Sequence, residues 1–175
     1  MTTEKLTDKE VANSKSEKIM NAVAWYCGYY RKNPQRFAKE YLNLNLKLFQ
    51  QILLYLMVRS TGFCFIAARG LGKSFLTAVF IVIKCLLWPG TKCIIACKVR
   101  TQSIKELVPN SPLLQSEIKK VDINNQKAEI IFKNGSYVKV VTATDSARGA
   151  RANLILVDEY RMMDEDIINM VLKKF

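Results

Sequence analysis

Apolar and polar positions along the chain divide it into helical stretches first and extended ones later. Residues 1–14 are polar and are expected to be loose. Residues 15–32 and 35–42 carry amphipathic helical patterns separated by Asn33-Pro34, the proline suiting a helix start because the first turn has no use for its missing N–H. Leu46 to Val58 predicts a third helix, with Leu46, Phe49, Leu53, Leu54 and Met57 on one stripe. Runs rich in β-branched and aromatic residues at 62–67 and 92–97 predict strands, and the apolar stretch 73–88 between them predicts a buried helix. Strand, helix, strand at this spacing is a βαβ unit, with parallel strands and a right-handed crossover.

Further on, a helical stretch near 100–120 is broken at Pro109-Asn110-Ser111-Pro112. Ala128 to Phe132 and Tyr137 to Val141 flank Asn134-Gly135, which predicts a β-hairpin. Leu154-Ile155-Leu156-Val157 is continuously apolar, as expected of a strand in the middle of a sheet covered on both faces. Asp164 is placed to cap a final helix running to Phe175. These elements predict an α/β fold, a mostly parallel sheet flanked by helices, with an N-terminal helical segment and an added hairpin.

The junction between the 62–67 run and the following helix carries candidate chemistry. Ala67-Ala68-Arg69-Gly70-Leu71-Gly72-Lys73-Ser74 follows the phosphate-binding loop pattern, with Ala67 in place of its first glycine. In such a loop the backbone N–H groups of Ala68, Gly70, Leu71 and Gly72 form a nest for phosphates, and the helix start adds its positive dipole end. Lys73 would reach the phosphates and Ser74 would ligate Mg²⁺, which makes ATP and Mg²⁺ the expected cofactors. Downstream, the 154–157 strand ends in Asp158-Glu159. Successive side chains at a strand end point in different directions. One acid, Asp158, can hold the metal shell while the other, Glu159, orients and deprotonates the attacking water. Both halves together predict a P-loop NTPase of the kind with an added catalytic glutamate (the ASCE class).

Composition changes this picture in two ways. Among 175 residues, 27 Lys and Arg face 15 Asp and Glu, a net charge of +12. The excess is spread, 10 against 5 over residues 1–60 and 9 against 3 over 61–123, then 8 against 7 to the end, so a folded surface rather than a tail would meet a polyanion. With no histidine and five cysteines lying in apolar runs, buried thiols in a reducing compartment are the simple reading. The stretch Phe75 to Trp88 is too short, and too interrupted by Lys84, to span a bilayer.

At this point the chain resembles the large terminase subunits of tailed bacteriophages over about residues 40–170. Leu46 to Leu53 is similar to the aromatic-Gln adenine motif of these motors. Ala68 to Ser74 is similar to their deviant Walker A sequence. Ala96 to Gln102 resembles the segment after the family's second strand, and Phe132 to Ser136 and Ala147 to Tyr160 are similar to its approach to Walker B. The resemblance implies that Gln50 (or its neighbour Gln51) reads the adenine edge, and that Arg69 is a phosphate-contacting arginine able to act in cis on transition-state charge. Arg148 and Arg151 would contact nucleotide or DNA, or stand as solvated charges. It also implies double-stranded DNA as the substrate track, a portal protein and a small terminase subunit as partners, a homo-oligomeric ring, and the cytoplasm of an infected bacterial host.

Residues 1–42 are then read as an N-terminal helical segment and 43–175 as the ATPase domain. The coupling motif and the nuclease acids of full terminases do not occur before Phe175. The core is therefore expected to be incomplete, and the activity of this length of chain alone to be low. The alternatives are a helicase-like DNA translocase ATPase and a non-catalytic nucleotide- or DNA-binding fragment.

Overall fold

A computed structural model of the chain describes residues 8–68, 70–96, 111–123, 128–141 and 152–157. Within these lie the helices α1 (Asp8–Lys32), α2 (Pro34–Glu40), α3 (Leu48–Arg59), α4 (Lys73–Leu87) and α5 (Pro112–Glu117). The strands are β1 (Lys92–Ala96), β2 (Ile118–Ile123), β3 (Ala128–Phe132), β4 (Tyr137–Val141) and β5 (Leu154–Val157). The strands form a mixed sheet in the order β2-β3-β4-β1-β5. β1 runs parallel to both β4 and β5, while β2, β3 and β4 form an antiparallel meander.

α4 is the centre of the molecule. Leu76, Val79, Ile81, Ile83 and Cys85 are all buried, so the helix is covered nearly all round, as its predominantly apolar sequence predicts. It packs on α2 and α3 on one side and on β1 and β4 on the other. One core cluster therefore joins Phe37, Leu42, Leu54 and Met57 from the helical side to Cys93, Ile95 and Val138 from the sheet. Each of these buried side chains stabilises the fold by about 1.5–3 kcal/mol. The four residues between α4 and β1 reverse the chain, so the carboxyl end of α4 meets the start of β1.

Several elements differ from the sequence expectation. α1 begins at Asp8, inside the stretch expected to be loose. Residues 118–120, expected at the end of a helical stretch, instead open β2, which pairs antiparallel with β3 through the cross-strand pairs Ile118–Phe132 and Val121–Ile130. The 62–67 run is not a strand, and no βαβ unit forms through it. β1 is already flanked on both edges, by β4 and β5, which leaves no place beside it. A lone extended segment gains no ladder hydrogen bonds, and here Phe63 and Ile66 stay 40% and 91% exposed. β5 ends the strand order among the described residues rather than sitting mid-sheet. Cys64 is exposed, unlike the buried Cys85 and Cys93, whose burial pushes their thiols upward, Cys85 to about 12. The helix expected from Asp164 lies outside the described residues.

Candidate functional site

The turn into α4 has the backbone its sequence calls for. Gly70 and Gly72 both hold positive φ, +82° and +75°, and Leu71 between them does not. A side chain at either glycine would be strained. Alternation of this kind turns successive N–H groups to one side. Gly72 is also the N-cap residue of α4, and a glycine has no side chain with which to cap the first N–H groups of the helix. Lys73 and Ser74 occupy the first two helical positions and are half-buried, held in place because Leu76 donates to the Gly72 carbonyl at 2.9 Å.

α3 brings Gln50 to this turn. Its Nε2 lies 3.1 Å from where a Cβ on Gly72 would stand, so a side chain there would press on Gln50 besides being strained in φ. The Gln50 Oε1 accepts from the Lys47 backbone N–H at 3.0 Å, which fixes the side chain at the start of α3. Gln51 is used differently, its Nε2 donating to the Leu46 carbonyl at 2.9 Å. The structure thus gathers Gln50, Gly70, Leu71, Gly72, Lys73 and Ser74 with Ala68 just upstream. Arg69, Arg148, Arg151, Asp158 and Glu159 lie outside the described residues. The chain enters Asp158 from the carboxyl end of β5, the same edge of the sheet at which the parallel β1 ends. The residues resembling the family from 97 to 102 also lie outside the described residues.

Residues 64–175 match the family described as terminase large subunit, T4likevirus-type, N-terminal. The chain belongs to this family. No curated protein matches it. Members of the family serve phage DNA packaging, and no helix among the described residues of this one is long and apolar enough to cross a membrane.

One feature of this terminase region was invisible in the sequence: how the far end of α4 is held. The last carbonyls of a helix need donors from elsewhere. Asn134 Nδ2 donates to the Cys85 carbonyl at 2.7 Å and to Leu86 at 3.3 Å, and Ser136 Oγ donates to Cys85 at 2.9 Å and Trp88 at 3.3 Å. Arg31 of α1 donates from its guanidinium to Leu87, with its charge 5.2 Å over the Trp88 ring. Thr91 Oγ1 donates to Trp88 at 2.6 Å and to Lys84 at 3.3 Å. Lys84, half-buried and with its pKa lowered by desolvation, donates to the Val58 carbonyl near the end of α3 at 3.2 Å and lies 4.4 Å over Trp88. The family-like stretch Phe132 to Ser136 is therefore a hairpin turn that doubles as the C-terminal cap of the helix whose other end carries Lys73.

Proposed function

We propose that this chain binds Mg²⁺-ATP at the turn into α4 and supplies the ATPase part of a packaging terminase, moving double-stranded DNA into a procapsid. The observation that carries the proposal is the convergence of Gln50 with a left-handed Gly72 at the start of α4. Family membership over residues 64–175 supports it. Mg²⁺ supplies charge neutralisation on the β- and γ-phosphates. Ser74 and Asp158 hold it, Lys73 and the N–H groups of residues 70–74 bind the phosphates, and Gln50 reads the adenine edge. Arg69 offsets charge on the γ-phosphate, and Glu159 takes the proton of the attacking water on its carboxylate. The working motor is a homo-oligomeric ring in the host cytoplasm, joined to a portal protein and a small terminase subunit.

Glu159→Gln is expected to leave ATP binding intact and lower turnover by at least about 100-fold, since shape survives while the base does not. Asp158→Ala is expected to weaken Mg²⁺-dependent binding instead. Nucleotide titration with and without Mg²⁺, beside a phosphate-release assay, separates the two roles, and parent-rate hydrolysis by Glu159→Gln would refute the assignment.

A second reading is nucleotide binding without turnover. The position of residues 63–68 outside the sheet favours it, because an unpaired segment holds the loop at 67–74 less firmly than a strand would. Binding without phosphate release in the parent chain would select this reading.

The spread excess of positive charge also supports DNA contact chiefly through phosphates. Duplex affinity should fall steeply with salt, log K losing about 0.9 per neutralised phosphate for each tenfold rise, and should vary little with sequence. A flat salt titration would contradict the phosphate grip.

A further inference from the structure

From the geometry of α1 we propose that one face of this helix binds single-stranded nucleic acid, stacking bases on Trp25 and Tyr29 and pairing phosphates with Lys15, Lys18 and Lys32. This surface is separate from the turn into α4, and the proposal does not rest on nucleotide binding there.

Lys15, Lys18, Ala22, Trp25, Tyr29 and Lys32 follow one another at alternating three- and four-residue steps, so they lie in a single row along α1. Residues 14–26 are all exposed, and among the described residues the helix meets the body near its carboxyl end. The two rings are held nearly parallel, with centroids 5.8 Å apart and planes 8° from each other. Trp25 is 65% exposed, an unusual state for the largest apolar side chain unless something covers it.

Both rings are also braced. Tyr26 stands edge-on to Trp25 at 5.2 Å, Tyr29 edge-on to Tyr30 at 5.4 Å, and Tyr30 edge-on to the buried Phe37 at 5.3 Å. A line of rings thus runs from the core out to Trp25, which limits the side-chain entropy lost when a ligand stacks. Between residues 14 and 32 the one acid is Glu17, which falls outside the row.

The charge pattern selects the ligand. Three lysines interleaved with two aromatic rings match a polyanion that also offers flat apolar faces. A single strand does so at every nucleotide, each stacked base contributing about 1–3 kcal/mol. A duplex hides its base faces within its own stack, so the rings would add nothing to its binding. A protein partner would instead use the neighbouring stripe of Ile19, Val23 and Tyr26, which continues the side of α1 that packs against the body through Tyr30.

The test uses the whole chain and a labelled oligo(dT) of about 16 nucleotides, with a duplex of the same length as comparison. Trp25→Ala/Tyr29→Ala should lower oligo(dT) affinity by on the order of 10- to 100-fold and leave the duplex within about threefold. Trp25→Phe/Tyr29→Phe should restore most of the affinity, which a change in helix content would not. Replacing Lys15, Lys18 and Lys32 by alanine should reduce the salt slope for oligo(dT) by about 2. Lys73→Ala should bind oligo(dT) like the parent. The proposal is overturned if the alanine pair leaves oligo(dT) affinity unchanged, if both DNAs lose affinity equally, or if the phenylalanine pair fails to recover it. A variant that keeps oligo(dT) affinity but sediments as a smaller species would assign the face to self-association and overturn it equally.

Discussion

Lys73→Ala is expected to abolish Mg²⁺-ATP binding, lowering affinity by at least on the order of 100-fold, the loss typical of truncating one partner of a close charge pair at about 2–5 kcal/mol. Lys73 is the first residue of α4 and directly follows the left-handed Gly72. In this position its ammonium would be the main fixed cation at the phosphates of a bound nucleotide, since backbone N–H groups carry only partial charge. The substitution is a clean one because Lys73 is half-buried at a helix start and alanine is the best helix former. Titration with ATP in the presence of Mg²⁺, with thermal melting as a control on folding, gives the answer. An unchanged affinity would exclude the turn into α4 as the nucleotide site.

The parts of this fold that were legible in the sequence are those specified locally. α4 is read from a long, mainly apolar run, the β3–β4 hairpin from Asn134-Gly135 between apolar segments, and β5 from four apolar residues in a row. The 62–67 segment misled because a strand is a relation between segments, and composition says nothing about whether an edge is free. β2 was missed since Ile118 to Ile123 contains Lys119, Lys120 and Asp122, which hide a short strand after a proline-started helix.

At the candidate site, Gly72 and Lys73 are read from a motif, but the choice between Gln50 and Gln51 is not. Adjacent residues on a helix face different ways, and here Gln51 pairs with Leu46 while Gln50 approaches Gly72. The clamp on the far end of α4 was also illegible. Its donors come from the loop before β1 and, from about fifty residues away in sequence, from α1 and the β3–β4 turn.

Removing that clamp should unfold the protein more readily than any surface change. Asn134→Ala/Ser136→Ala is expected to destabilise the chain by about 3–5 kcal/mol, the sum of lost hydrogen bonds and carbonyls left buried without donors. The reason lies in Pro89. In a continuing helix the residue four places on would donate to the Cys85 carbonyl, but Pro89 has no N–H. Asn134 Nδ2 and Ser136 Oγ take that role together, at 2.7 Å and 2.9 Å, around a residue that is fully buried. Water cannot easily replace them there. Ser136 also accepts from the Thr91 N–H at 3.1 Å, and Asn134 Oδ1 accepts from the Ser136 N–H at 3.0 Å, so the turn, the start of β1 and the helix end are bonded as one unit. Each single variant leaves the Cys85 carbonyl one donor and should cost about 1–2 kcal/mol, with the double variant losing more than the two combined. For a chain of this size each kcal/mol lowers the melting temperature by about 2–4 °C, so the double variant should melt about 10 °C below the parent. A double variant melting within about 2 °C of the parent would mean that the backbone shifts to satisfy Cys85 by another route, and that the hairpin turn is not what holds the helix end.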